Sequence, residues 1–242
     1  MDDKIQGFVL QSIRYGDTSL IVPVYTLNNG LQSYMVKGVR GSKTSRNRIA
    51  LFQPMTFIRF VQQGKPHKGG LAYLKDVELD YTYQTIPFVM DKSAILIYLT
   101  ELLSRTLTQQ ERNDGLYAFV SQSVHWLDLV ETGYANFPLY FTLELSRFLG
   151  FYPQANYQPH ACFDMMEGQF VMGQPVHPYV FDQDESALLA RLLNRSIDNL
   201  SSVVMTGIQR SALLEGILTF MRLHAPVLKG LQSHEVLKEV FR

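Results

Sequence analysis

The chain changes its pattern of apolar and polar positions about one third of the way along. Up to residue 85, apolar side chains alternate with polar ones in short runs, which is typical of strands. Five such runs cover about 5–14, 19–27, 31–37, 53–62 and 71–80. Asn-Asn-Gly at 28–30 predicts a hairpin between the second and third runs, because Asn and Gly tolerate a positive φ. So many short strands predict a small barrel or sandwich.

From Pro87 onward the apolar positions follow the period of an α-helix. The predicted helices cover about 91–109, 138–149, 186–195 and 209–224, with a short helix capped by Ser233 at the end. Another predicted helix begins at Asn113 or Asp114 and runs to about Val130. Asp91 is the predicted N-cap of the first helix, and Gly150 the residue just past the third. Four prolines within 151–181 predict an irregular insert, with a small hairpin around Gly168.

These patterns predict an α+β protein with two parts, a β-rich domain at 1–85 and a mainly helical domain at 86–242. Among 242 residues, 46% are hydrophobic and 18% charged, which suffices for a sizeable core. No run reaches the roughly 18 apolar residues that a membrane span needs, and the acidic start is unlike a signal peptide. The single cysteine, Cys162, fits a reducing compartment. We therefore expect a soluble, cytoplasmic protein.

Charge is segregated along the chain although the whole protein is formally neutral. Residues 1–85 hold 11 basic and 6 acidic side chains, whereas 86–242 hold 11 and 16, which gives balances of +5 and −5. Between Asp17 and Asp76 there are nine lysines and arginines and no carboxylate. Such an asymmetry indicates a polyanionic partner for the basic half.

Five of these cations lie within 37–48, a segment that also contains two glycines and three hydroxyl residues. Flexible glycines, hydroxyls and clustered cations suit a phosphate backbone, so this segment is the predicted nucleic-acid site; a merely solvated loop is the alternative. The predicted contacts are Lys37, Arg40, Lys43, Arg46 and Arg48, with Lys65 and Lys68 from a second turn.

Aromatic side chains are numerous in the β-rich half, and most must fill its core. Tyr34 and Tyr73 lie within predicted strands, where an outward ring would stack on nucleic-acid bases. We include both in the predicted interface. The alternation around Tyr34 does not decide which face its ring takes.

Two segments resemble enzyme motifs, but each lacks a residue that its motif requires. Gly38–Thr44 resembles a phosphate-binding loop, yet Ser42 separates the glycine from the lysine that must follow it directly. His234-Glu235 begins a zinc-protease motif, but Lys238 stands where the second histidine is required. The sequence therefore predicts no catalytic residue and no enzymatic activity.

A metal site near Cys162 is also disfavoured. His160, Asp164, Glu167 and His177 are close to it in sequence, but a structural zinc site commonly needs paired cysteines. We predict neither a bound metal nor a cofactor. The acidic residues at 182–185 are interpreted as the favourable start of a helix, because they complement its dipole.

Several short motifs resemble the RecO family of bacterial recombination mediators. They are Arg14–Leu20 (RYGDTSL), Val36–Arg40 (VKGVR) before a basic segment, Phe52-Gln53-Pro54, and Thr142–Gly150 (TLELSRFLG) followed by Tyr152-Pro153. The likeness covers nearly the full length in order. It implies an N-terminal five-stranded OB-fold β-barrel followed by a mainly α-helical domain.

The resemblance also implies a function. RecO proteins bind single- and double-stranded DNA without ATP, anneal complementary strands, and work with RecR to help RecA replace single-stranded-DNA-binding protein. Many members carry a four-cysteine zinc module where this chain has 160–180, but only Cys162 is present here. The implied partners are DNA, RecR and the C-terminal tail of single-stranded-DNA-binding protein, with no membrane.

Two expectations concern the rest of the surface and the class of nucleic acid. An acidic tail needs local cations on the helical domain, and the predicted ones are Arg191, Arg195, Arg210 and Arg222; a solubilising surface role is the alternative.

A barrel with a basic loop does not distinguish DNA from RNA. An OB-fold RNA-binding or ribosome-associated protein is therefore the alternative function.

Overall fold

The fold is α+β, with a β-barrel followed by helices. The structure is a computed structural model that describes residues 4–39, 48–64, 71–108, 111–173 and 175–241. Arg40, Lys43, Arg46, Lys65 and Lys68, five of the predicted DNA contacts, lie outside these ranges. None of the helices in the described ranges combines the length and the apolar character that crossing a membrane requires.

Six strands form the N-terminal sheet. They are β1 (Ile5–Val9), β2 (Ile13–Tyr15), β3 (Ser19–Thr26), β4 (Gly30–Val36), β5 (Phe57–Gln63) and β6 (Ala72–Leu79). The sheet order is β1-β5-β6-β4-β3-β2, and β1 pairs with β3 as well. The pairs β1–β5, β5–β6, β6–β4, β4–β3 and β3–β1 therefore close a ring of five strands. Only β4 and β6 run parallel in this ring, and the whole arrangement is the five-stranded OB-fold barrel that was predicted.

Alternation along the strands fills the barrel. Leu20, Val22 and Val24 of β3 are buried, as are Tyr34 and Val36 of β4. Phe60, Leu74 and neighbouring side chains complete one hydrophobic cluster. The inward side chains exclude water from the barrel, and burial of this apolar area is what stabilises it.

The sequence pattern misplaces two strand boundaries. The first predicted run breaks into β1 and β2, because the intervening Leu10 turns inward and its amide donates to the carbonyl of Pro23 at 2.9 Å. The fourth run begins at Phe57 and not at residue 53, because Met55 has a φ of 61° and ends a series of turns. The Asn-Asn-Gly hairpin is confirmed, with Gly30 at a φ of 61° and paired to Thr26.

The remaining regular elements are mainly helical. They are α1 (Met90–Thr106), α2 (Asp114–Leu129), α3 (Phe137–Phe148), α4 (Gln183–Leu193), α5 (Gly207–His224) and α6 (His234–Val240), with 3₁₀ turns at Ile86–Phe88, Ile197–Ser202 and Pro226–Leu228. These agree with the predicted helices within a few residues. Asp91, however, lies inside the first turn of α1 and is not its N-cap.

Local chemistry sets several helix ends. Asp182 caps α4 and Thr206 caps α5, each through a capping box in which the side chain accepts from the third helical amide. Gly150 follows α3 with a φ of 88°, as its position in the sequence predicts. Ser233 precedes α6 but makes no capping hydrogen bond.

A small three-stranded sheet lies within the predicted irregular insert. Its strands are β7 (Cys162–Asp164), β8 (Gln169–Val171) and β9 (Val180–Phe181), in the order β8-β7-β9. The hairpin around Gly168 is confirmed, and this glycine has a φ of 67°. Phe163 of the central strand packs edge-on against Phe220 of α5 at 5.6 Å between ring centroids, which attaches the insert to the helices.

The contacts divide the chain into two compact units. The first contains residues 1–84 and 103–122, and the second contains 85–102 and 123–242. In the first unit, the ring of Phe8 stacks on Tyr117 with 5.8 Å between centroids, and Ser104 donates to the carbonyl of Leu10. The barrel unit therefore takes in the end of α1 and the first part of α2, which periodicity alone assigns to the helical domain.

Candidate nucleic-acid interface

The basic segment begins and ends on the barrel. Val39, near the start of the segment, is fully buried, and its amide donates to the carbonyl of Thr18 at 3.0 Å. Phe52, which follows it, is 1% exposed and belongs to the same core cluster. Lys37 and Arg48 lie at the two described ends of the segment, and both are exposed. The core residues thus fix where these two cations stand.

Lys37 and Tyr73 form one contact on the outside of the barrel. The ammonium of Lys37 lies 4.5 Å from the centroid of the Tyr73 ring, a cation–π arrangement. Met35 of β4 is the cross-strand neighbour of Tyr73 on β6, so the two parallel strands hold this pair in place. Tyr73 is half-buried, and its ring stands on the outer face.

Tyr34 is not available to nucleic acid, and this prediction is wrong. The side chain is 1% exposed, and its ring packs edge-on against Phe60 at 5.0 Å. Its hydroxyl donates to Oε1 of Gln62 at 3.3 Å, and burial raises the pKa of Tyr34 to about 12. The inward position follows from the pleat, since Tyr34 and Val36 alternate with the outward Met35.

Two outward residues were missed by the sequence reasoning. Tyr15 is 53% exposed and Ile13 is 47% exposed, and both belong to the short edge strand β2. The wider prediction that most barrel aromatics are core residues is confirmed, since Phe8, Tyr25 and others are buried. The exposure of Tyr15 could have been predicted from its neighbours in the sequence. Arg14, Gly16 and Asp17 flank it, and charged residues such as Arg14 and Asp17 are rarely buried.

Charges on the barrel fall into two groups. Arg59 lies 2.8 Å from Asp80, and Lys4 lies 2.8 Å from Glu78, so these cations are paired. The hydrogen bond from Lys4 holds the pKa of Glu78 below its usual range. Lys37, by contrast, takes part in no ion pair with any residue in the described ranges, and the same holds for Arg14, Lys75 and Arg48. The second group is therefore available to an external anion.

The four predicted arginines of the helical half differ in their surroundings. Arg191 and Arg195 are exposed. Arg210 is half-buried, and its Nε donates to Oδ1 of Asn136 at 2.9 Å. Arg222 is half-buried beside Glu215 at 2.8 Å. The last two serve intramolecular contacts and do not present the free surface cations that the prediction requires.

The potential metal ligands near Cys162 make other contacts. Asp164 accepts from the amides of Met166 and Glu167 at 2.8 and 3.1 Å, and its other oxygen lies 3.2 Å from Nε2 of His177. Cys162 is a free, half-buried thiol in β7. Asp164 thus stabilises the turn of the hairpin.

A second group of potential ligands comprises Glu215, His234 and Glu235. Lys238 lies 3.3 Å from Glu215 and 2.8 Å from Glu235, and Arg222 also contacts Glu215. These two cations already neutralise the carboxylates, which disfavours an added metal ion.

Comparison with known proteins gives matches over nearly the whole chain. The family described as Recombination protein O N terminal matches residues 1–83, and Recombination protein O C terminal matches 88–231. A protein of Flavobacterium psychrophilum named DNA repair protein RecO is 34% identical over 242 residues, covering 100% of both chains. Proteins of the same name from Phocaeicola vulgatus and Flavobacterium johnsoniae are 34% and 32% identical, again over 100% of both chains.

Proposed function

This chain belongs to the RecO family of DNA repair proteins, and from that premise we propose that it is a non-enzymatic, DNA-binding mediator of recombinational repair. It binds single- and double-stranded DNA and anneals complementary strands. With RecR it assists the loading of RecA onto DNA covered by single-stranded-DNA-binding protein. It acts in the cytoplasm.

One observation carries the DNA-binding part of the proposal. Lys37 and Arg48, which form no ion pair with a residue in the described ranges, stand at the two ends of the basic segment, and Lys37 lies directly on the Tyr73 ring. Phosphate contacts supply most of the affinity of nonspecific binding, and cations without an internal partner can make them at no cost of broken ion pairs. The segment's remaining cations, Arg40, Lys43 and Arg46, add to this charge.

The salt dependence of binding tests the assignment. If all five cations of 37–48 contact single-stranded DNA, the slope of log affinity against log salt from this segment is about −3.5, at roughly −0.7 per phosphate. Replacing Arg40, Arg46 and Arg48 by alanine should flatten the slope by about two units and weaken different sequences equally.

The double variant Arg191→Ala/Arg195→Ala is the matched control, because it removes exposed arginines from the helical half. It should leave the slope within about half a unit of the unmodified protein. An unchanged slope in the triple variant would refute the role of the basic segment.

Matched DNA and RNA oligonucleotides separate the leading proposal from the RNA-binding alternative. We expect binding to both DNA forms and acceleration of annealing between complementary DNA strands, because neutralised phosphates repel each other less. Tight binding to RNA with no annealing of DNA would favour the alternative instead. Fluorescence anisotropy and a fluorescence-quenching annealing assay provide the two readouts.

The tail of single-stranded-DNA-binding protein is proposed to bind the helical half. Arg191 on α4 and Arg195 just after it are the exposed cations that support this, since an acidic tail requires local positive charge. Titration of a labelled tail peptide against the full chain should show binding that weakens in the Arg191→Ala/Arg195→Ala variant. Equal binding by that variant would remove these residues from the proposal.

A further inference from the structure

A row of outward apolar side chains crosses the barrel over four strands. Ile13 of β2 is paired with Ile21 of β3, Ile21 with Met35 of β4, and Met35 with Tyr73 of β6. Tyr15 lies on the same face as Ile13, two residues along β2. We call these five residues the outer row.

The outer row is accessible to a ligand. Ile13 and Tyr15 are each about half exposed, at 47% and 53%, and the other three side chains are half-buried. Three steps between neighbouring strands separate Ile13 from Tyr73, which corresponds to about 14 Å. The row is therefore long enough to contact more than one planar group of an extended ligand.

The charges beside the row restrict what that ligand is. Lys75 follows Tyr73 by two residues on β6 and so lies on the outer side of that strand. Lys37, just past the end of β4, is exposed and lies on the Tyr73 ring, so it too is on the outer side of the barrel. Neither forms an ion pair with a residue in the described part of the chain. The sequence from 18 to 75 contains no carboxylate. A ligand that combines negative charge with flat apolar faces complements this surface.

From this arrangement we infer that the outer row is the surface by which the protein distinguishes unpaired DNA from duplex, with Tyr15 and Tyr73 stacking on bases. The inference rests on the proposed DNA-binding function, and it adds the residues that bind unpaired DNA more tightly than duplex DNA. Bases in a duplex are stacked on one another, so their faces are closed to protein rings, whereas an unpaired strand presents them. Phosphates are common to both forms and so do not discriminate.

Lys37 takes part when a base binds to the Tyr73 ring. Stacking of a base on an aromatic ring is stronger than a cation–π contact at an exposed site. An arriving base therefore displaces the ammonium from the Tyr73 ring. The released Lys37 is then beside the same nucleotide and binds its phosphate. Lys37 is a positioning residue, and Tyr73 is the stacking residue.

The experiment compares three fluorescent probes of equal length. One is a single strand of thymidines, the second has the same phosphates but abasic sugars in its central half, and the third is a duplex. The unmodified protein should prefer the thymidine strand to the abasic strand by about fivefold or more, because one to three kcal/mol per stacked base corresponds to about 5- to 150-fold.

Variants at the two rings identify the residues. Tyr73→Ala and Tyr15→Ala should each lower affinity for the thymidine strand by about fivefold or more, while affinities for the abasic strand and duplex change less than about twofold. Tyr73→Phe keeps the ring and should retain the unmodified affinity. Tyr179→Ala is the matched control, because this tyrosine is 41% exposed but belongs to the insert of the other unit. Thermal melting checks that each variant is folded.

The outcomes separate the two proposals. If the unmodified protein bound none of the probes, the DNA-binding function would fail and the inference with it. If it bound DNA but did not distinguish the thymidine strand from the abasic one, the inference alone would be overturned, whatever the variants did. Equal losses on all three probes in Tyr73→Ala would also overturn it, because phosphate contacts and not stacking would then be affected.

Discussion

The ammonium group of Lys92 donates a hydrogen bond of 3.0 Å to the carbonyl oxygen of Asp128, in the last turn of α2. It also donates to the carbonyl of Val130 at 2.6 Å and to Oγ1 of Thr85 at 2.7 Å. Lys92 is only 2% exposed. A buried cation thus satisfies carbonyls that the end of a helix leaves without partners, and it complements the helix dipole.

Replacing Lys92 by methionine should lower the free energy of unfolding by about 2–3 kcal/mol. Methionine keeps most of the apolar stem but removes all three donors, so the buried carbonyls of Asp128 and Val130 lose charge-assisted hydrogen bonds. Urea denaturation followed by circular dichroism measures the loss. Lys75→Met, at an exposed position, should stay within about 0.5 kcal/mol of the unmodified protein. Equal midpoints for Lys92→Met and the unmodified protein would contradict the account.

Asp128 makes the complementary contacts, and its substitution should depend on the replacement. Its Oδ1 accepts from the amides of Thr85 at 2.8 Å and Ile86 at 2.9 Å, and the residue is fully buried. Asparagine can still accept both bonds, whereas alanine cannot. We expect Asp128→Ala to cost about 2–3 kcal/mol of stability and Asp128→Asn clearly less. Equal losses in the two variants would show that these amide contacts are unimportant.

Gly216 has no room for a methyl group. A Cβ at this position of α5 would lie 2.0 Å from Cε1 of Phe181, whose side chain is 2% exposed. An alanine in a helix normally stabilises relative to glycine, but overpacking costs about 1–3 kcal/mol, so we expect Gly216→Ala to destabilise by about 1–2 kcal/mol. In a Phe181→Leu background the same change should be nearly neutral. A loss of the same size in both backgrounds would exclude the ring as its cause.

The regular elements were predictable because each depends on local patterns. The Asn-Asn-Gly hairpin, Gly150 after α3 and the hairpin at Gly168 all follow from residues that tolerate a positive φ. The break between β1 and β2 was not predictable, because Leu10 turns inward through a contact with β3 that is distant in sequence. The grouping of 103–122 with the barrel likewise depends on tertiary contacts such as Phe8 with Tyr117.

The positive charge of the candidate site could be predicted from the sequence, but the orientation of its aromatic residues could be predicted only in part. The absence of carboxylates between Asp17 and Asp76 is visible in the sequence, and it predicts that cations of this stretch, Lys37 among them, are available to an anionic ligand. The faces of Tyr34 and Tyr73 depend on strand register, and a shift of one residue reverses them. Tyr34 points inward and Tyr73 outward in the same sheet, which only the pairing of β4 with β6 reveals.

Folding should not depend on zinc. Cys162 is the only cysteine. Lys238 and Arg222 already neutralise the carboxylates of Glu215 and Glu235. A closed tetrahedral site, which would contribute its binding energy to folding, is therefore not expected. Metal analysis of untagged protein and melting with and without chelator are the measurements. Stoichiometric zinc, or a loss of several degrees with chelator, would show the expectation to be wrong.

His234 should make the protein less stable in mildly acidic solution. Burial lowers the pKa of His234 below its usual value near 6.5, although Glu215 and Glu235 lie 3.2 and 3.1 Å from Nε2 and act in the opposite direction. The unfolded chain then binds more protons than the folded one as the pH falls through about 6.5. The free energy of unfolding must therefore decrease over this range.

The contribution of His234 can be isolated with two variants. His234→Gln removes the titration, so the difference in stability between it and the unmodified protein should change as the pH is lowered from 7.5 toward 5, in the window set by the ordinary histidine pKa near 6.5. Glu235→Gln removes a carboxylate that raises the pKa of His234, and it should therefore enlarge the acid-induced loss. The carboxyl of Glu235 itself titrates below about 4.5, because its hydrogen bond with Lys238 lowers its pKa, so it does not interfere in this window. A pH-independent difference between His234→Gln and the unmodified protein would mean that the imidazole keeps the same protonation when the chain unfolds.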